Sequence, residues 1–155
     1  MSVKVKDCFT PEGRNFLKAI SELTEKEVRV GFQRGKATEE DGTDICDIAA
    51  WNELGTEDIP SRPFIRDSVD NNEAEIEAFL QRMQRRIING QSAEKTLKQI
   101  GVFQKGLIQR EITKGNFAKN SEVTIKRKGS DTPLIDTGRL RQSVNFVIEK
   151  KGSGE

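Results

Sequence analysis

Ile48-Ala49-Ala50-Trp51-Asn52-Glu53-Leu54-Gly55-Thr56-Glu57-Asp58-Ile59-Pro60-Ser61-Arg62-Pro63-Phe64-Ile65-Arg66 is the stretch on which the reading of this chain turns. It spells a short amphipathic helix stopped by Gly55, a turn, and a Pro-Ser-Arg-Pro-Phe corner that opens a second helix. Pro60 and Pro63 each fix φ and push the preceding residue toward extended geometry, so the corner reads as a rigid joint. Nothing within it forms a catalytic constellation.

Upstream of the joint, Asp44 can cap the helix 45–54, whose buried face would be Ile45, Ile48, Ala49 and Trp51. Residues 33–43 are polar and turn-rich and predict a mobile loop with nothing to bury. Before them, Glu27-Val28-Arg29-Val30-Gly31-Phe32 alternates and predicts a strand with Val28, Val30 and Phe32 inward. Thr10-Pro11-Glu12 is a helix start, and Phe16, Leu17, Ile20 and Leu23 carry an amphipathic helix over about 11–24.

Downstream, Ile65, Val69, Ile76, Phe79, Leu80, Met83 and Ile87 form a helical stripe over 62–89. The Asp70-Asn71-Asn72 cluster divides it into a short and a long helix, and Gly90 ends it. A further helix runs from Ser92 to about Thr113 with Leu97, Ile100, Phe103, Leu107, Ile108 and Ile112 inward. Gly101 and Gly106 weaken it by about 1 kcal/mol each relative to Ala, unless they admit close helix packing. Ser121–Ile125 reads as a short helix or a strand, and Asp136 as the N-cap of another short helix. Val144–Ile148 closes as a strand able to pair with Val28–Phe32, ahead of a Gly/Ser-rich frayed tail, 151–155.

The expected fold class is therefore α+β: several amphipathic helices packed on a small antiparallel sheet, with an extended polar loop. At 155 residues, one domain over 1–150 is expected. Apolar residues make up 34% and charged residues 33%, which predicts a lean core under a highly charged surface. No apolar run is long enough to span a bilayer and no signal peptide is evident, so a soluble, cytosolic chain is expected. Cys8 and Cys46 are expected to be buried, reduced thiols.

The net charge of +1 is unevenly spread: residues 1–60 carry 8 Lys/Arg against 13 Asp/Glu, or −5, and residues 61–155 carry 18 against 12, or +6. Such a layout suits head-to-tail contact between copies, or is simply an uneven surface. Lys126-Arg127-Lys128 is either a solvated turn or a contact for phosphates or an acidic neighbour. The absence of flanking aromatics makes it a weak nucleic-acid signal.

The chain has no histidine, which removes the commonest general base and the commonest zinc ligand. No phosphate-binding glycine loop occurs. Glu39-Glu40-Asp41 lies in the polar loop as solvated charge, and Glu73, Glu75 and Glu77 precede Arg82, Arg85 and Arg86 as the helix dipole favours. An enzyme is not expected.

The block Ile48–Thr56 followed by Ile59-Pro60-Ser61-Arg62-Pro63-Phe64 resembles the pattern YA-x-x-x-E-F-G-T … I-P-x-R-P-F. Thr124–Leu140, with Pro133-Leu134-Ile135-Asp136-Thr137-Gly138-Arg139-Leu140 at its end, resembles the companion pattern T-I-x-x-K-G … P-L-x-D-T-G-x-L. Together they are similar to the virion morphogenesis proteins of tailed bacteriophages, which include neck, head–tail joining and tail-completion proteins of the minor tail protein Z group. The chain departs from them at Ala50-Trp51 and at Leu54, which are packing changes.

The resemblance implies a homo-oligomeric ring, such as a hexamer, at the head–tail junction or the head-proximal end of the tail. Implied partners are other phage neck or tail proteins, with DNA only passing through the ring, no membrane, and no cofactor. The implied location is the virion, and the host cytoplasm during assembly. Ile59, Arg62, Phe64, Arg66, Asp136 and Arg139 are the expected interface residues, with Ile59 and Phe64 as apolar anchors and Arg62 pairing with an acid of the neighbour. The competing expectation keeps Phe64 in the chain's own core and sets Arg62 against Glu53 or Asp67. Rival functions are a tail terminator or baseplate-proximal subunit, a DNA-binding accessory protein, and a small hydrolase.

Overall fold

The computed structural model describes residues 9–120, 122–128 and 131–152. The expectations for Cys8, for Ser121 and for the last three residues lie outside them. In chain order the elements are α1 Pro11–Glu25, β1 Lys26–Gly31, α2 Ile45–Leu54, α3 Phe64–Asp70, α4 Glu73–Ile88, α5 Ala93–Lys114, α6 Glu122–Lys128, α7 Arg139–Ser143 and β2 Asn145–Lys150. The fold is α+β, as the patterning predicts.

The helices start where capping chemistry puts them. Thr10 Oγ1 accepts from Gly13 N at 3.2 Å with Pro11 at the first helical position, and Ser92 Oγ accepts from Lys95 N at 3.4 Å. Asp44 holds two segments at once: Oδ1 accepts from Cys46 N at 2.8 Å to cap α2, and Oδ2 from Gly35 N at 2.6 Å.

These two bonds hold the Asp44 carboxyl below its usual 3.8, the Cys46 amide most strongly and the Gly35 amide next, with the nearby Arg34 charge adding to them against desolvation. A carboxyl depressed in the folded state stabilises above its unfolded pKa and loses that contribution as pH falls through the folded value. Urea midpoints should therefore show Asp44→Asn less stable than wild type at pH 7. The gap should close as the pH falls below about 4.

β1 and β2 pair antiparallel, with Val28 opposite Ile148 and Val30 opposite Phe146, and α5 packs against both strands. Arg29 lies opposite Val147 and bonds the carboxylates of Glu27 (2.6 Å) and Glu149 (2.9 Å), all three on the other face. A two-stranded sheet is marginal alone, so α5 supplies its stability. Gly101 makes the approach possible: a Cβ there would overlap the Phe146 ring, whereas Gly106 has nothing within 4 Å.

The two glycines should therefore respond oppositely to alanine. Gly101→Ala should cost about 1–3 kcal/mol through overpacking, despite the helix propensity gained. Gly106→Ala should stabilise by up to about 1 kcal/mol. Thermal and urea unfolding of the two variants would read both signs.

The core joins Ile45 and Ala49 of α2, Phe64, Ile108 and Ile112 of α5, and Leu134, Leu140 and Val144. Four expectations need correction. The loop 33–43 is not a free polar segment, since Ala37 packs on the core, Thr38 bridges Asp44, and Ile45 N donates to Ala37 O at 3.0 Å. Asp136 is not an N-cap: α7 starts three residues later, because Gly138 takes the left-handed conformation (φ 78°) at its cap. Trp51 is 45% exposed rather than part of the buried face of α2. Leu17, Ile20, Val69 and Leu80 are likewise exposed, so the apolar stripes of α1, α3 and α4 are wider than the core they meet.

Candidate functional site

The joint between α2 and α3 is closed by reciprocal capping. The last carbonyls of α2 are taken by the corner: Arg62 N donates to Asn52 O at 2.6 Å and Ser61 Oγ to Glu53 O at 2.8 Å. Gly55, with φ 81°, turns the chain there, and a Cβ on it would press on the Ser61 backbone at 3.0 Å. In return Glu53 caps α3, its carboxylate accepting from Ile65 N at 2.8 Å and Arg66 N at 3.1 Å. Pro63 stands at the cap position of α3 without a side-chain acceptor, so a carboxylate from outside the helix fills that place. The missing acceptor is the signal in the sequence that could have assigned Glu53 its role.

Arg62 is 6% exposed and locks the joint to a distant segment. Its Nε donates to Ala118 O at 2.9 Å, Nη1 to Asn52 Oδ1 at 3.0 Å, and Nη2 to Asn120 Oδ1 at 3.2 Å. Asn120 is itself buried and passes the link on, its Nδ2 donating to Thr132 O at 3.2 Å. Neither Glu53 nor Asp67 is the partner of the guanidinium, which is held by carbonyl oxygens, and burial pulls its pKa below the usual arginine value. Phe64 is 0% exposed and meets Phe32 edge-on, with ring centroids 6.0 Å apart. Arg62 and Phe64 are thus internal ties of this chain, and the expectation that they reach a neighbour is corrected by their burial.

The remaining expected interface residues divide. Ile59 and Asp136 line one groove of about 640 Å³, and the Arg62 side chain reaches its wall from below. Arg139 braces the same wall, with Nη1 donating to Thr38 O at 3.0 Å and Glu39 and Glu40 each 3.7 Å from its guanidinium. Thr137 Oγ1 donates to Glu39 Oε1 at 3.1 Å, which ties the 33–43 loop to the 131–138 segment. Arg66 is exposed on α3 and does not line the groove.

The floor of this groove is apolar, built from Ile48, Trp51, Ile59, Pro60, Leu134 and Leu140. Its rim is acidic, with Glu39, Glu40, Asp41, Asp58 and Asp136. Trp51 on the floor is the residue sequence reasoning did not assign to an interface. Among the described residues no three His, Cys, Asp or Glu side chains converge as metal ligands, and no helix is long and apolar enough to cross a membrane.

No family model, no curated protein and no solved structure matches the chain.

Proposed function

We propose that this chain is a structural protein of a tailed bacteriophage, assembling as a ring that completes or joins the tail at the head–tail junction. The observation that carries the reading is that the two resemblance blocks, remote in sequence, form one unit. Arg62 of the first block reaches Asn120, which in turn holds Thr132 of the second block, and Leu134 and Leu140 of that block share the core with Phe64. The same unit presents an open groove with an exposed indole and an acidic rim.

One exposed apolar cluster also favours an assembly role: Val102, 60% exposed, stands with Phe79 and Phe103 among Arg82, Arg86, Lys95 and Lys98. An apolar centre ringed by charge is the composition that protein interfaces use.

The direct test is reconstitution. Labelled protein is mixed with filled heads and isolated tails, and the particles are imaged. Label at one end of the tail or at the junction, with an increased yield of joined particles, is the expected result. Label on neither structure, with no effect on joining, would refute the assignment.

A further inference from the structure

Resting on the ring reading above, we propose that the acidic Trp51 groove of one copy receives the basic, apolar α4/α5 face of the next. The receiving half is the groove just described. The inserting half lies on different elements: Phe79 and Phe103 stack with ring centroids 4.0 Å apart, and Arg82 sits 5.6 Å over Phe79. Arg86, Lys95 and Lys98 complete the cationic border, and Val102 stands out beside them. The same surface continues through Lys98 and Val102 to Phe146 and Ile148 of the sheet.

Charge complementarity selects a second copy as the occupant. Five carboxylates rim the first groove; among the described residues that line it the one cation is the buried Arg62, and Arg139 lies behind the rim 3.7 Å from Glu39 and Glu40. Four cations rim the second, with no carboxylate among its lining residues. The internal pairs are exposed: Lys98 reaches Glu94 at 2.7 Å and Glu40 lies 3.7 Å from Arg139. Exposed pairs of this kind are weak and exchange partners readily. A nucleic-acid backbone would match the cations alone and leave Val102 and Phe103 unused. A second copy matches both the charge and the apolar centre. The two grooves have no lining residue in common, so the contact is heterologous and repeats from copy to copy, which is the requirement for a ring.

The test uses the full chain and two paired charge reversals. Glu40→Lys with Asp58→Lys alters the acidic rim, and Lys95→Glu with Lys98→Glu the basic one; all four residues are exposed, and melting curves check that each variant folds. Sedimentation should show self-association of the wild type, weakened as salt rises from about 0.15 M to about 1 M. Each double variant alone should associate about a hundredfold more weakly. Mixed together, the two variants should regain association, because one contact between them is unaltered and the other sets reversed rim against reversed rim, opposite charges again. Trp51 is the chain's only tryptophan, so its emission should shift to the blue on association.

Rings that persist in either double variant would overturn the groove pairing and leave the ring reading standing. Groove-dependent, salt-sensitive association into open chains without closed rings would keep the pairing and overturn the ring. A wild type that stays monomeric would overturn the pairing, with the ring reading then decided by reconstitution on tails.

Discussion

Phe64→Ala should cost about 3–5 kcal/mol of stability, read as a lowered urea midpoint with an unchanged slope. The side chain is fully enclosed, with Ile45, Ala49, Ile108, Ile112, Leu134, Leu140 and Val144 in the same cluster and Phe32 packed edge-on. Truncation would leave a cavity at the point where the joint, α5 and the 134–144 segment meet. Native stability is typically about 5–15 kcal/mol, so a loss of that size consumes a large share of it. Phe64→Leu keeps most of the volume and should cost less than half as much. Both losses should be independent of protein concentration, because the contacts lie within one chain. A variant of wild-type stability that fails only in assembly would mean Phe64 faces a neighbour after all.

Arg62→Met should cost about 2–4 kcal/mol, since it leaves the oxygens of Ala118, Asn52 and Asn120 without their donor in a buried setting. The stem of the side chain is retained, so the loss isolates the guanidinium. Arg62→Lys should recover little, because one ammonium cannot reach acceptors that lie in three directions around the arginine fork. A double-mutant cycle with Asn120→Ala should show a coupling of about 1–2 kcal/mol. Additive losses would mean that Asn120 is held by Thr132 alone and that the joint is not locked through Arg62.

The helices and the sheet were legible because their signals are local. Thr10-Pro11, Asp44 and Ser92 announce starts, Gly55 and Gly90 announce stops, and the alternation around Val28 with the apolar run Val144–Ile148 announces the paired strands. Arg62 was legible as a special residue but its partners were not. Asn120 is remote in sequence, lies in an irregular segment, and no periodicity marks it. The loop 33–43 looked unable to bury anything because Ala37 is the small apolar residue it lends to the core, and its ties run both to Asp44 and Ile45 beside it and to residues far away, such as Thr137 and Arg139. Trp51 misled for a different reason. Apolar periodicity places it on the face of α2, but Gly55 turns the chain away before anything covers it, leaving the indole on the groove floor. The candidate site therefore emerges where a local rule expects burial and the fold withholds it.

The most direct test of the central claim is the mass of the wild-type chain by light scattering with negative-stain images, alone and after purified tail tubes are added. The account predicts closed rings with a central hole, free in solution or seated on one end of the tubes. A chain that remains monomeric in both conditions and leaves the tubes bare would contradict it.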